Sequence, residues 1–282
     1  MSRMQIPSDF PVFQQVGNQI LPSHLAKGPW YPGTQHGSAM LLLAAMAVEQ
    51  VPSAVPRQVT RLTVDMLSAA PLAPIDLVAH LRRSGRNLEA LDISICSKGQ
   101  EYVRASALRY GVADVPVADR LKCDGNTPVL PQPPRQPFFA QMQDQEGFHN
   151  AIEIRIDLKA QPAVMWFRLK HPVLPGQPIT PLQRVALASD WTYSVPSFSH
   201  HILTGEAFDA QPFYGINPDT TINLHRPAAG EWVGIQTHAS YSDLGAGTVM
   251  GQLFDETGAI GFCTQSILVR RRASPATGNS AP

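Results

Sequence analysis

The sequence predicts an α+β protein of two tandem modules, each a curled antiparallel sheet around one long central helix. Two observations support this prediction: a proline-rich segment divides the 282 residues into two parts, and each part contains an apolar helix followed by strands of alternating polarity. A helix that is apolar on all sides is buried completely only when a sheet wraps around it. The expected fold is therefore the same in both parts.

The first part contains one helix and four strands. The segment Ser38–Gln50 is rich in Ala, Leu and Met, which are strong helix formers. Alternating β-branched and polar residues predict strands, and Gly-containing joints predict tight turns between them. The strands are predicted near Arg57–Leu67, Pro74–Arg83, Asn87–Ser97 and Glu101–Gly111, with turns at Ser84-Gly85 and Lys98-Gly99.

A linker is predicted between the modules. The stretch Val115–Pro137 contains six prolines, which lack a backbone donor and fit neither a helix interior nor a central strand. The predicted boundaries are 1–114 for the first module, 115–145 for the linker, 146–272 for the second module and 273–282 for a flexible tail.

The second part repeats the first. A helix is predicted over Pro181–Ser194, and strands are predicted both before and after it. The predicted strands lie near Ala151–Leu158, Ala163–Lys170, Thr220–Arg226, Trp232–Ser240, Thr248–Asp255 and Ala259–Arg270. One long helix followed by an antiparallel meander, occurring twice, predicts a double hotdog fold.

The composition excludes several functional classes. Lys plus Arg and Asp plus Glu both total 22, so no net charge favours nucleic acid as a partner. The longest apolar run, Met40–Val48, is too short to span a bilayer, and the start of the chain lacks a secretory signal. The three cysteines have no partners at metal-ligand spacing. We expect a cytoplasmic protein that binds a small molecule and no metal.

Three segments make the chain similar to the acyl-CoA thioesterase II family over Gly28–Arg271. They are GPWYPGTQHGSAMLLLAAMAVE, RLTVDMLSAAPLAPIDLVAHLRRSGRNLEALD and INPDTTINLHRPAAGEWVGIQTHASYSDLGAGTVMGQLFDETGAIGFCTQSILVRRR. The resemblance implies a double hotdog that hydrolyses an acyl-CoA thioester without a cofactor. It also implies a catalytic trio of an Asp, a Thr or Ser, and a Gln in the second module.

Carried over residue by residue, the resemblance places this trio at Asp219, Ser240 and Gln265. Ser240 is identified by its spacing from the shared Trp232, and a bulge would move that role to Thr237 or Ser242. Asp219 would take a proton from the attacking water, and the other two would orient that water.

The amino terminus of the first helix is the predicted site for the negative oxygen of the tetrahedral intermediate, because free backbone amides point out of a helix start. Gly37 is the candidate donor, and His36 beside it is a candidate contact to the substrate. In the first module, positions near Arg61 and Ser106 correspond to Asp219 and Gln265, so only one site is expected.

Structural explanations compete with these catalytic roles. Asp219 follows Asn-Pro and suits a turn, Gln265 suits a structural hydrogen bond in an apolar layer, and His36 suits a helix cap. Asp190, which follows an apolar stretch in the second helix, is interpreted as a cap or as the partner of a basic group, without a chemical role.

Two other functions are considered. A hotdog hydratase needs an Asp and a His in a D-x4-H arrangement, whereas five residues separate Asp219 from His225. A protein that binds acyl-CoA or lipid without catalysis would keep the same pocket. A homodimer is also expected, since single hotdogs bury a sheet edge and a helix face by pairing.

Overall fold

The computed structural model describes residues 6–119, 122, 128–132, 146–206 and 211–272. Within these residues one continuous antiparallel sheet of thirteen strands contains strands from both parts of the chain. The sheet curls around helices contributed by both parts of the chain, and the protein is an α+β double hotdog.

The first module follows the predicted pattern closely. Its strands are β1 (Phe13–Val16), β2 (Gln19–Pro22), β3 (Arg57–Met66), β4 (Ile75–Ser84), β5 (Leu88–Ser97) and β6 (Gln100–Gly111). Alternate residues of β5 are buried along its whole length, as expected for a strand with one face on a core. Lys98 and Gly99 both have positive φ, which fits the tight turn predicted between β5 and β6.

Helix α1 (Gly37–Gln50) confirms the prediction of a buried central helix. Every residue from Ser38 to Val48 is buried. A helix without a polar face is stable here because the first-module sheet contacts it on one side and a second-module helix, Pro181–Ser189, contacts it on another.

The second module contains the remaining strands and two helices. The strands are β7 (Ile152–Asp157), β8 (Val164–Leu169), β9 (Phe213–Ile216), β10 (Asp219–Leu224), β11 (Val233–Tyr241), β12 (Ala246–Asp255) and β13 (Gly258–Arg271), and the helices are α2 (Pro181–Ser189) and α3 (Ser194–Thr204). The prediction of one helix over Pro181–Ser194 was wrong. Pro196 lacks an N–H and its ring would clash with the carbonyl of residue 192, so a turn at 190–193 separates the two helices.

The two modules share a sheet and a core. The strand order is β1-β2-β4-β5-β6-β3-β10-β13-β12-β11-β8-β7, with β9 paired to β13. Strand β3 pairs with β10, where Asp65 lies opposite Asp219. Helices α1 and α2 pack antiparallel, since Ser38 at the start of α1 contacts Asp190 at the end of α2. The first and second modules therefore meet along both the sheet and the helices.

The predicted module boundaries stay a prediction. Most of the predicted linker 115–145 and all of the predicted tail 273–282 lie outside the described residues. None of the helices in the described part of the chain is long and apolar enough to cross a membrane.

Candidate active site

A histidine starts helix α1 and is held rigidly. His36 is the N-cap, and its Nδ1 accepts the N–H of Ser38 at 3.1 Å. Its ring stacks between Phe148 and Trp191, with centroid distances of 4.9 and 5.2 Å. Because Nδ1 accepts a hydrogen bond, the neutral ring carries its proton on Nε2. His36 therefore presents a fixed N–H on the side of the ring away from Ser38.

A buried carboxylate lies against this helix start. Asp190, the C-cap of α2, is only 8% exposed. Its Oδ2 accepts the hydroxyl of Ser38 at 2.8 Å and lies 3.3 Å from Nδ1 of His36, a contact that becomes an ion pair when the ring is protonated. Its Oδ1 accepts an N–H of the Asn217 side chain at 3.2 Å. Two donors, the Ser38 hydroxyl and the Asn217 amide, thus fix the orientation of one carboxylate, which still has lone pairs for a water.

Gly37 brings the carboxylate and a helix amide together. A Cβ atom on Gly37 would lie 2.5 Å from Oδ1 and 2.9 Å from Oδ2 of Asp190, so the carboxylate occupies the space of the missing side chain. The first N–H groups of a helix have no intrahelical acceptor, and no acceptor for the Gly37 N–H is found within the described ranges. A carboxylate and a backbone N–H without an acceptor among the described residues are therefore adjacent.

Gln265 holds the end of α2 in place. The side chain is fully buried, and its Nε2 donates to the carbonyls of Ser189 and Asp190 at 3.1 Å and to Oγ1 of Thr220 at 2.9 Å. Its Oε1 accepts the N–H of Tyr193 at 2.8 Å. These bonds span the turn that ends α2, so Gln265 determines where the Asp190 backbone lies.

The sheet register does not bring Asp219 to Gln265, which corrects the predicted trio. Thr221 pairs with Thr264, so Thr220 lies opposite Gln265 and Asp219 lies opposite Ser266. Successive residues of a strand point to opposite faces. Asp219 therefore points to the face away from Gln265, and it accepts the backbone N–H of Ser266 at 2.8 Å.

Ser240 is also distant from Asp219. It pairs with Thr248 of β12, which pairs with Ser266 of β13. Ser240 is thus on the face of Asp219 but three strands away, about 14 Å at the usual strand spacing. Asp219, Ser240 and Gln265 cannot hold one water.

His225 does not complete a hydratase pair with Asp219. It follows the end of β10, six positions along the chain from Asp219, which corresponds to roughly 20 Å of extended chain.

Asp190 and Asn217 are the residues that sequence reasoning missed. A polar residue ending the apolar run of α2 was visible in the sequence, but a helix cap explained it equally well. Asn217 precedes β10 and looks like part of a turn. Their importance arises from the packing of α1 on α2, which brings residues 150 positions apart into contact.

A buried thiol near the end of α2 does not act as a nucleophile. Cys263 lies 3.0 Å from the hydroxyl of Thr192, and burial raises the pKa of its thiol to about 11. A thiol with this pKa is protonated at neutral pH and reacts slowly.

Comparison with known proteins identifies the family. Residues 26–110 match the acyl-CoA thioesterase N-terminal domain, and residues 124–269 match the acyl-CoA thioesterase C-terminal domain. A search among curated proteins found no match.

Solved structures share the fold. A proposed thioesterase from Novosphingobium aromaticivorans is 21% identical with a TM-score of 0.65, and the alignment covers 92% of this chain and 98% of that one. A protein of unknown function with a hot dog fold from Alicyclobacillus acidocaldarius is 15% identical with a TM-score of 0.64, covering 93% and 96%. The acyl-CoA thioesterase II TesB2 from Mycobacterium marinum is 16% identical with a TM-score of 0.61, also covering 93% and 96%.

The family match covers both modules. The Asp190 carboxylate of the second module lies against Gly37, at the helix start of the first module. The chain is a thioester hydrolase that belongs to the acyl-CoA thioesterase family.

Proposed function

We propose that this protein hydrolyses acyl-CoA thioesters at the junction between the start of α1 and the end of α2. Asp190 is the general base and the N–H of Gly37 is a donor to the developing oxyanion. The observation that carries the proposal is the contact of the Asp190 carboxylate with the Cα side of Gly37. A general base and an oxyanion donor must lie close to each other so that both reach the reacting thioester group. Because Gly37 has no side chain, the Asp190 carboxylate can lie next to the helix amide.

The reaction follows from these positions. Asp190 takes a proton from a water as the water oxygen bonds to the thioester carbon. The carbonyl oxygen becomes negative and accepts the Gly37 N–H, which the positive end of the helix dipole assists. The C–S bond then breaks, and the sulfur leaves with the proton returned by Asp190. The products are a carboxylic acid and the thiol of CoA.

Neighbouring groups orient rather than react. Ser38 and Asn217 each donate to one carboxylate oxygen of Asp190, which fixes the direction from which it approaches the water. Gln265 acts one step further away, through the backbone of Ser189 and Asp190. His36 is a candidate second donor to the carbonyl oxygen through Nε2.

The decisive test compares two aspartates. Asp190→Asn removes the proton acceptor and keeps the size of the side chain, so kcat should fall by roughly 10²–10⁴. Asp219→Asn, on the other face of the sheet, is the matched control and should keep wild-type kcat. Hydrolysis is followed by the appearance of free thiol from acyl-CoA.

The reverse outcome would restore the assignment made from the sequence. If Asp219→Asn loses activity while Asp190→Asn keeps it, with melting temperatures unchanged, Asp190 is not the base. If wild-type protein binds acyl-CoA but releases no thiol, the function is binding without catalysis. A homodimer stays a prediction, which light scattering tests.

A further inference from the structure

A cleft opens beside helix α3 in the second module. It has a volume of about 290 Å³, near the lower end of the roughly 300–1,000 Å³ that is usual for ligand pockets. Its walls come from the segment just before β8, one face of α3 and the distal half of β11, and include Pro162, Ala163, Val195, Ser199, Thr237 and Ala239.

One wall of this cleft is an open strand edge. Strand β11 pairs with β12 from Gly234 to Tyr241, but with β8 only from Val233 to Gln236. Beyond Gln236, the side of β11 that faced β8 has no strand partner in the described part of the chain. The cleft therefore lies where a further stretch of β8 would run, next to backbone N–H and C=O groups that can pair with an extended amide.

The apolar side chains and the polar strand edge that line the cleft favour some ligands over others. An acyl chain would suit Val195 and Ala163, but it would cover the strand edge and leave the backbone N–H and C=O groups there without hydrogen-bond partners, which is unfavourable. An extended chain that carries secondary amides satisfies the same groups as a peptide strand does. The cleft thus favours an amide-bearing chain with apolar spacers.

The cleft lies close to the reactive junction. Ala239 pairs with Val249, and Val249 pairs with Gln265, so Ala239 is about 10 Å from Gln265 along one row of the sheet. Val195 is one helical turn after Trp191, whose ring stacks on His36. About three residue lengths of extended chain cover this distance.

We infer that this cleft binds the pantetheine arm of the substrate, with the amides of the arm paired to the open edge of β11. The arm is an extended chain with two secondary amides separated by short apolar spacers, and its sulfur is the atom that the thioester places at Asp190. The inference rests on the proposed function, because it places the sulfur end of the arm at the junction described above.

The test fills the cleft without touching the reactive residues. Ser199→Trp puts an indole into the cleft from α3, where the serine hydroxyl bonds only its own helix, at the carbonyl of Val195. Two substrates with the same acyl group are compared, S-acyl pantetheine and S-acyl mercaptoethanol, which lacks both amides. The variant should lower kcat/KM for the pantetheine thioester at least about tenfold and change that for the mercaptoethanol thioester by less than about twofold.

A matched variant controls for the added indole. Ser197→Trp lies two positions away on the exposed side of α3 and should leave both substrates unaffected. Equal losses on both substrates with Ser199→Trp would show that the cleft holds the acyl chain or supports the site, and would overturn the inference. An unchanged preference for pantetheine would overturn it as well.

Calorimetry with pantetheine itself separates this inference from the proposed function. If no thioester is hydrolysed but pantetheine binds to the wild type and not to Ser199→Trp, the cleft assignment holds and the catalytic proposal fails. If thioesters are hydrolysed and Ser199→Trp binds pantetheine as tightly as the wild type, the catalytic proposal holds and the cleft assignment fails.

Discussion

The two ends of the α1–α2 helix pair are built alike but do different things. Each helix follows a turn with a left-handed glycine, Gly33 before α1 and Gly176 before α2. Each helix start has a side-chain N-cap and faces a carboxylate at the end of the other helix. The caps are His36 and Thr180, and the carboxylates are Asp190 and Glu49.

The sheet supports both helix ends with the same kind of contact. Gln265 donates to the carbonyls that end α2, and Arg109 donates to the carbonyls of Val48 and Val51 at the end of α1, at 3.2 and 2.7 Å. The two modules therefore resemble each other even in individual hydrogen bonds.

The difference lies in the first residue of each helix. Helix α1 begins with Gly37, which leaves an amide N–H beside Asp190, whereas α2 begins with Pro181, which has no N–H to give. The start of α2 is also closed by a reciprocal pair of hydrogen bonds between Thr180 and Gln183. One junction is open to a ligand and the other is a structural joint.

Disrupting the contacts at the end of α1 should cause the largest loss of stability. Arg109 and Glu89 form a buried ion pair at 2.7 Å, and both side chains are almost fully buried. Arg109→Met leaves the Glu89 carboxylate with only Arg57 at 3.5 Å as a cationic partner, so the free energy of unfolding should fall by about 3–5 kcal/mol. Urea denaturation measures this change, and a loss below about 1 kcal/mol would contradict it.

At the start of α1, the addition of a single methyl group to Gly37 should cause a large loss of activity. In Gly37→Ala the new methyl group would lie 2.5 Å from Oδ1 of Asp190, so the carboxylate must move away from the helix amide. We expect kcat to fall by roughly 10²–10³, the usual effect of losing one oxyanion contact. Pro181→Ala at the other helix start is the control, and steady-state kinetics with acyl-CoA should show it unchanged.

A second ion pair, between Asp255 and Arg226 in the second module, makes the stability of the protein depend on pH in the acid range. Asp255 accepts bonds from Arg226, the Ala229 N–H and Thr257, which together hold its pKa at about 2 despite burial. Since the folded pKa lies below the ordinary 3.8, the stabilisation is complete above pH 4 and is lost as pH falls towards 2. It is worth about 2 kcal/mol.

Asp255→Asn checks this value. The free energies of unfolding of the wild type and the variant should differ by at least about 2 kcal/mol at pH 7, and the gap should narrow below pH 4. A gap that stays constant down to pH 2 would show that ionisation of Asp255 is not the cause.

The smallest effect is expected at Glu49, the counterpart of Asp190. Burial raises the pKa of Glu49, although hydrogen bonds from Thr180 and Gln183 oppose the shift. Its charged form is therefore slightly unfavourable in the fold, and Glu49→Gln should raise stability by less than about 0.5 kcal/mol at pH 7.

Melting temperatures at two pH values test this sign. The gain from Glu49→Gln should disappear at pH 4, where the glutamate is protonated, and kcat should equal that of the wild type. A loss of activity as large as that of Asp190→Asn would mean that both junctions are catalytic.

The sequence by itself determined most of the elements and their order, but not the short strands β1, β2 and β9 or the break between α2 and α3. Alternating polarity predicted β5 at Asn87–Ser97, and the strand spans Leu88–Ser97. The apolar run of α1 predicted a helix buried on all sides, and the first-module sheet and helix α2 together cover it. These features depend on local pattern, which a single sequence contains in full.

Only the tertiary structure decided which residues share a site. Asp219 and Gln265 both stood out in the sequence, but a strand that presents Thr220 to Gln265 must present Asp219 to the opposite face. Asp190 resembled a helix cap until the packing of α1 on α2 brought Gly37 and Ser38 against it. Strand register and helix packing join residues far apart in the chain, and neither is encoded in the local pattern around any one of them.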